Sequence, residues 1–267
     1  MLFRSIRGVL EWMKVDQGVE IHHHGDLPAR TGLGSSSAFT VGLLHAVHAL
    51  RGELVSKRAL AEQAIYVEQT VLKENVGVQD QIQSAFGGLN RIDIRQDSSF
   101  EVTPLVVQAD RLASLQNHLL LLYTGLSRHA SEIAAEQVAT MDQKTSELKA
   151  MRAMVDEGER ILASRGSLRD FGRLLHDSWE LKRSLSSKIA PASVNEIYDA
   201  ARKAGADGGK LLGAGGGGFM LIFVEPERRA AVLRALDKLL PVPFQFERGG
   251  TQLVLYEAET MGGGQAG

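Results

Sequence analysis

The chain has 267 residues, no cysteine, 44% hydrophobic residues and a formal net charge of -2 at pH 7. This is enough apolar material for one large domain or two modest ones, and it excludes disulfides and thiolate metal sites. The balanced charge gives no electrostatic support for a nucleic-acid or anionic-membrane partner.

Apolar runs such as Leu119 to Leu122 are far too short to span a bilayer, and Met1-Leu2-Phe3-Arg4 leads into charged residues rather than a signal-peptide core. A cytoplasmic protein is the expectation. Residues 6–13 read as a short amphipathic helix and 18–24 as a strand. His22, His23 and His24 suggest a metal, but adjacent strand residues point to opposite faces, so a polar strand end is the better reading.

Residues 28–38, Pro-Ala-Arg-Thr-Gly-Leu-Gly-Ser-Ser-Ser-Ala, join that strand to a helix whose Phe39, Leu43, Val47 and Leu50 recur at helical spacing. Gly32 and Gly34 permit backbone angles and close ligand approach denied to other residues, and Ser35, Ser36 and Ser37 place hydroxyls at the helix start. With the positive end of the helix dipole, the loop suits a phosphate. An ordinary strand-to-helix turn with a serine N-cap is the alternative. The pattern is neither a Walker A loop nor a dinucleotide fingerprint.

Ser56 is a candidate N-cap for a second helix running to about Gln69. Asp80 then stands near the start of a short helix closed by Gly87-Gly88, where an acid also serves simply to complement the dipole. Residues 89–94 and 100–105 suggest a hairpin, and 119–123 a buried strand. Ser127 is expected to cap a long helical region over 130–164, and a further helix follows Ser167, with His176, Lys182 and Arg183 on a solvated face. Pro191 opens a helix ending at Gly205. Residues 208–218 hold a second glycine-rich loop, whose entropic cost requires close approach to a backbone or a ligand. A strand over 219–224, a helix over 227–239 and strands at 244–246 and 253–256 complete the reading.

Residues 28–38 resemble the second signature of the GHMP small-molecule kinases, and 210–218 resemble their third. Within that superfamily, Gln79-Asp80-Gln81 with Gly87-Gly88, the stretch from Leu122 to Arg128 and the stretch from His176 to Lys182 are similar to D-glycero-D-manno-heptose 7-phosphate kinases and their fucokinase-like relatives. The resemblance implies an α+β fold of two lobes, residues 1–115 like a truncated ribosomal S5 domain 2 and 116–267 ferredoxin-like, with ATP and Mg²⁺ between them. It implies phosphorylation of the anomeric hydroxyl of a small sugar phosphate.

Carried over by motif, Gly32, Leu33, Gly34, Ser35, Ser36 and Ser37 would hold the ATP phosphates, Ser36 would meet Mg²⁺, and Asp80 would be the base. Gly213, Gly215, Gly216 and Gly217 would pack beside the phosphate loop, and Arg128 and Lys182, with Arg183, would clamp the substrate's phosphate. The family's first signature has no counterpart here, so the resemblance implies a truncated first lobe with an open sheet edge, hence poor solubility, dimerisation or reduced activity. A sugar 1-kinase acting on a fucose-like hexose and a catalytically incomplete nucleotide-binding fragment are the alternatives.

Overall fold

The computed structural model describes residues 2–27, 31–126 and 141–257. The first half is helical: α1 (Leu2–Trp12), α2 (Ser35–Leu50), α3 (Lys57–Tyr66) and α4 (Gln79–Phe86), followed by a hairpin of β1 (Asn90–Ile94) and β2 (Phe100–Pro104). The interior of α2 is almost entirely apolar. It therefore packs against α1, α3 and α4 at once, burying Phe39, Val41, Leu43, Leu44 and Val47, while Leu50 at its end is exposed. Val9, Leu60, Ala64 and Ile82 complete this core. Ser56 caps α3 by accepting from the Ala59 N–H at 3.1 Å. From Val67 to Val71 the helix widens into a π turn.

The second half contains α5 (Ala109–His118), β3 (Leu119–Tyr123), α6 (Thr145–Ala163), α7 (Arg169–Ser184), α8 (Ala192–Lys203), β4 (Gly208–Leu211), β5 (Phe219–Phe223), α9 (Arg229–Ala235) and β6 (Leu240–Val242). The four strands form one antiparallel sheet in the order β4-β5-β3-β6. Alternation sends Leu120, Leu122, Met220 and Ile222 to one face, against Val194 and Tyr198 of α8 and Val232 of α9. Leu119 and Phe223 face the other way, toward Leu115, Leu162 and Leu168.

Several expectations change. The stretches at 18–24, 244–246 and 253–256 enter no ladder among the described residues, because a strand needs a neighbour for its backbone groups and none is there. At Phe244 and Phe246 the Gln116 amide substitutes, donating to one carbonyl and accepting from the other N–H. The helix expected over 227–239 is a short 3₁₀ turn plus α9, while β4 lies inside the second glycine-rich stretch and α5 precedes β3. Ser127, Arg128 and the first part of the long helical region lie outside the described residues.

Candidate active site

The loop before α2 takes the shape its glycines allow. Gly32 and Gly34 have φ of 80° and 69°, and Gly34 is the N-cap of α2 without any side-chain cap. The first N–H groups of α2 are therefore left for a ligand or water. Ser35 is exposed at this helix start, Ser36 half-buried and Ser37 buried.

Asp80 stands in the first turn of α4 and comes to the same place: a Cβ on Gly34 would lie 3.1 Å from its Cγ and 3.2 Å from its Oδ2. The missing side chain is what lets this carboxylate rest against the loop. Burial pushes its pKa up, opposed by a hydrogen bond from Gln79. Asp80 makes no ion pair among the described residues.

A second carboxylate, absent from the motif reading, lies behind the serines. Glu68, 1% exposed, projects from the π turn and accepts hydrogen bonds from Ser37 Oγ at 2.9 Å, from Thr40 Oγ1 at 3.0 Å and from the Gln81 amide. Burial raises its pKa and those three donors lower it. No cation is paired with it among the described residues. The signal was in the sequence: Glu68 falls on the same helical stripe as Ala61 and Ala64, where an acid is out of character.

The two glycine-rich loops meet backbone to backbone. A Cβ on Gly32 would lie 2.8 Å from the Leu212 carbonyl oxygen, and one on Gly213 2.7 Å from the Gly32 Cα. The Gly216 N–H donates to the Ile189 carbonyl at 2.9 Å, and Gly217 lies against Leu126. Gly213, Gly215 and Gly217 are thus explained by contact with other backbone. A buried loop of this kind needs its polar groups partnered, and neighbouring main chain partners them.

Lys182 does not sit on a solvated face as its helical spacing suggests. It is half-buried, and its Nζ donates to the Gly213 carbonyl at 2.6 Å. Burial, with a smaller push from nearby Lys210, brings its pKa down to about 7, and burial also lowers that of Lys210. Neither lysine makes an ion pair among the described residues. Arg183 instead pairs with Glu180 at 2.5 Å on its own helix, and His176 accepts or donates at 2.7 Å to the Tyr198 hydroxyl. Arg128 lies outside the described residues. The three histidines are exposed; His22 meets Glu20 at 2.8 Å and His23 stacks edge-on against Phe39.

Gly34, Asp80 and the Glu68 cluster thus share the start of α2, and Gly32, Gly213 and Lys182 continue the same surface. The sequence matches the family model described as "GHMP kinases N terminal domain" over residues 2–88 and that described as "GHMP kinases C terminal" over 159–242. The chain belongs to the GHMP kinases. GHMP kinases are ATP-dependent enzymes that transfer phosphate to a hydroxyl. A D-glycero-alpha-D-manno-heptose 7-phosphate kinase from Campylobacter jejuni is 29% identical over 89% of this chain and 71% of its own length. The crystal structure of a D-glycero-D-manno-heptose 1-phosphate kinase from Bacteroides thetaiotaomicron superposes with a TM-score of 0.64 at 28% identity, covering 95% of this chain and 75% of that one. The L-fucokinase/L-fucose-1-P guanylyltransferase of Bacteroides fragilis is 31% identical over 85% of this chain but only 24% of its own length.

The donor set fits a hard cation brought by a nucleotide. Among the described residues no group of three or more His, Cys, Asp or Glu could hold a metal by itself. Mg²⁺ characteristically takes one or two protein oxygens and completes its shell with water and phosphate. Glu68, a buried carboxylate with no cation beside it among the described residues, and Ser37, which is bonded to it, supply such oxygens, with Ser36 next in the chain.

Proposed function

We propose that the chain is a sugar kinase that transfers the γ-phosphoryl group of ATP to the anomeric hydroxyl of D-glycero-D-manno-heptose 7-phosphate. The observation that carries this reading is the Asp80 carboxylate held against Gly34, at the mouth of a helix whose first N–H groups have no side-chain cap. Backbone from Gly32 to Ser37 binds the ATP phosphates, with the α2 dipole adding to their attraction. Asp80 accepts the proton of the sugar hydroxyl as that oxygen bonds to the γ-phosphorus and the bond to the ADP oxygen breaks. Burial raises its pKa, which makes it a stronger base than an exposed carboxylate. Ser36 and Glu68 hold Mg²⁺, which when bound neutralises charge on the phosphates. Lys182, and Arg128 from outside the described residues, hold the substrate's own phosphate. The division between the lobes falls between residues 115 and 116.

The second reading is a sugar 1-kinase acting on a fucose-like hexose, supported by the 31% identity to the L-fucokinase/L-fucose-1-P guanylyltransferase over 24% of that protein's length. A coupled ADP assay with heptose 7-phosphate and L-fucose, each beside a no-sugar blank, separates them. Preference for the heptose phosphate by kcat/KM supports the first reading. Preference for fucose overturns it.

A further inference from the structure

At the opposite end of α7 and β4 from the glycine loop lies a cavity of about 470 Å³ lined by Arg169, Arg173, Arg202, Lys203, Asp207 and Arg228, with Gly205 and Ala206 on its floor. Two of the five cations are already neutralised. Arg169 Nε donates to Asp207 Oδ1 at 2.7 Å, and Arg173 pairs with Asp170 at 3.1 Å. Arg202, half-buried, uses one N–H on the Ala206 carbonyl and keeps its charge. Lys203 and Arg228 are exposed and make no ion pair among the described residues. Three uncompensated positive charges therefore converge on one concavity.

Gly205, which follows the end of α8, has φ of 107°, a conformation that favours glycine, and Arg228 packs beside it: a Cβ there would fall 2.9 Å from Arg228 Cδ. Asp207, 6% exposed, holds Arg169 with one oxygen, while its Oδ2 has no hydrogen-bond partner among the described residues. An acceptor buried in this way is satisfied by a hydroxyl or water arriving with a ligand. Arg169 and Lys182 are on the same helix, α7, about 20 Å apart at 1.5 Å per residue, so the cavity is separate from the glycine loop and joined to it by a rigid element.

We propose that this cavity is a second anion site, which binds a small molecule carrying a diphosphate. Three free cations match the charge of a diphosphate better than that of a single phosphate or carboxylate. Arginine forks hold phosphate oxygens bidentately, and the volume admits a sugar- or nucleoside-sized group beside them. Binding there bears on α7 and β4, the two elements that position Lys182 and the Gly213 loop.

The test uses the full chain with its catalytic site saturated by a non-hydrolysable ATP analogue, titrated with inorganic pyrophosphate by calorimetry and ³¹P NMR. The expected result is one saturable pyrophosphate site, tighter than for orthophosphate. In a Lys203→Glu/Arg228→Glu variant it weakens at least about tenfold, with affinity for the ATP analogue unchanged. A Lys203→Gln/Arg228→Gln variant gives the intermediate value and guards against a folding defect. Absence of saturable binding, or equal affinity in both variants and the parent, overturns the proposal. Should the analogue itself not bind, the comparison of variants still decides the cavity, independently of the catalytic reading.

Discussion

Gly34 and Asp80 come together from α2 and α4 with 3.1 Å between the Asp80 Cγ and the place a Gly34 Cβ would take. One residue supplies an uncapped helix N-terminus and the other a half-buried carboxylate whose pKa is raised by burial. Any side chain at position 34 displaces the carboxylate and strains a backbone at φ of 69°. Gly34→Ala is therefore expected to lower kcat by about 10²-fold and stability by about 1–2 kcal/mol. Steady-state kinetics beside a thermal melt check both; an unchanged kcat would remove the contact from the mechanism.

Lys182 gives two pH dependences of opposite sign. Its folded-state pKa is lowered from the ordinary 10.5 to about 7, so between those values the unfolded chain binds a proton that the folded chain has released. Stability therefore rises with pH across that window. Holding an anionic substrate needs the charged form, so KM for a sugar phosphate rises as pH increases through about 7. Lys182→Met should flatten both profiles, raising the melting temperature near neutrality while raising KM. Profiles identical to those of the parent would show that Lys182 meets neither role.

Glu68 predicts a cation dependence. Glu68→Gln keeps one acceptor oxygen, for Ser37 and the Gln81 amide, and turns the oxygen facing Thr40 into an N–H donor that the Thr40 hydroxyl can accept while it donates to the Ser36 carbonyl. It also removes a buried charge that has no cation beside it among the described residues. The variant should fold at least as stably as the parent and require about tenfold more Mg²⁺ for half-maximal ATP turnover. A Mg²⁺ titration of initial rate measures this; an unshifted midpoint would place the cation elsewhere.

Much of this arrangement is legible in the sequence, for local reasons. Glycines before a serine run, apolar spacing in α2 and the polar turn between β1 and β2 are signals contained within a few residues, and all three elements stand in the structure. What escapes is set by partners distant in sequence. The spacing of α7 cannot show that Lys182 is covered by the Gly213 loop, because that contact spans 31 positions. The apolar residues near 18–24 and 253–256 have strand composition, yet a ladder depends on a neighbouring strand rather than on composition. The two glycine loops announce a close approach without naming each other as its object.

Those unladdered stretches carry a prediction of their own. Val254 and Leu255 are 94% and 79% exposed, next to half-exposed Leu253 and Tyr256, an apolar surface of the kind that associates. Light scattering behind size exclusion should show self-association that grows with concentration, and Val254→Lys/Leu255→Lys should reduce it. A monomer across the whole concentration range would refute the expectation.

The most direct test of the Asp80 reading is ATP turnover dependent on D-glycero-D-manno-heptose 7-phosphate, with Mg²⁺, in the parent chain and in Asp80→Asn, with nucleotide affinity measured in both. Sugar-dependent ADP release is expected in the parent, with a loss of about 10²–10⁴-fold in kcat in the variant and ATP bound equally well. Equal turnover in the two proteins would contradict that reading.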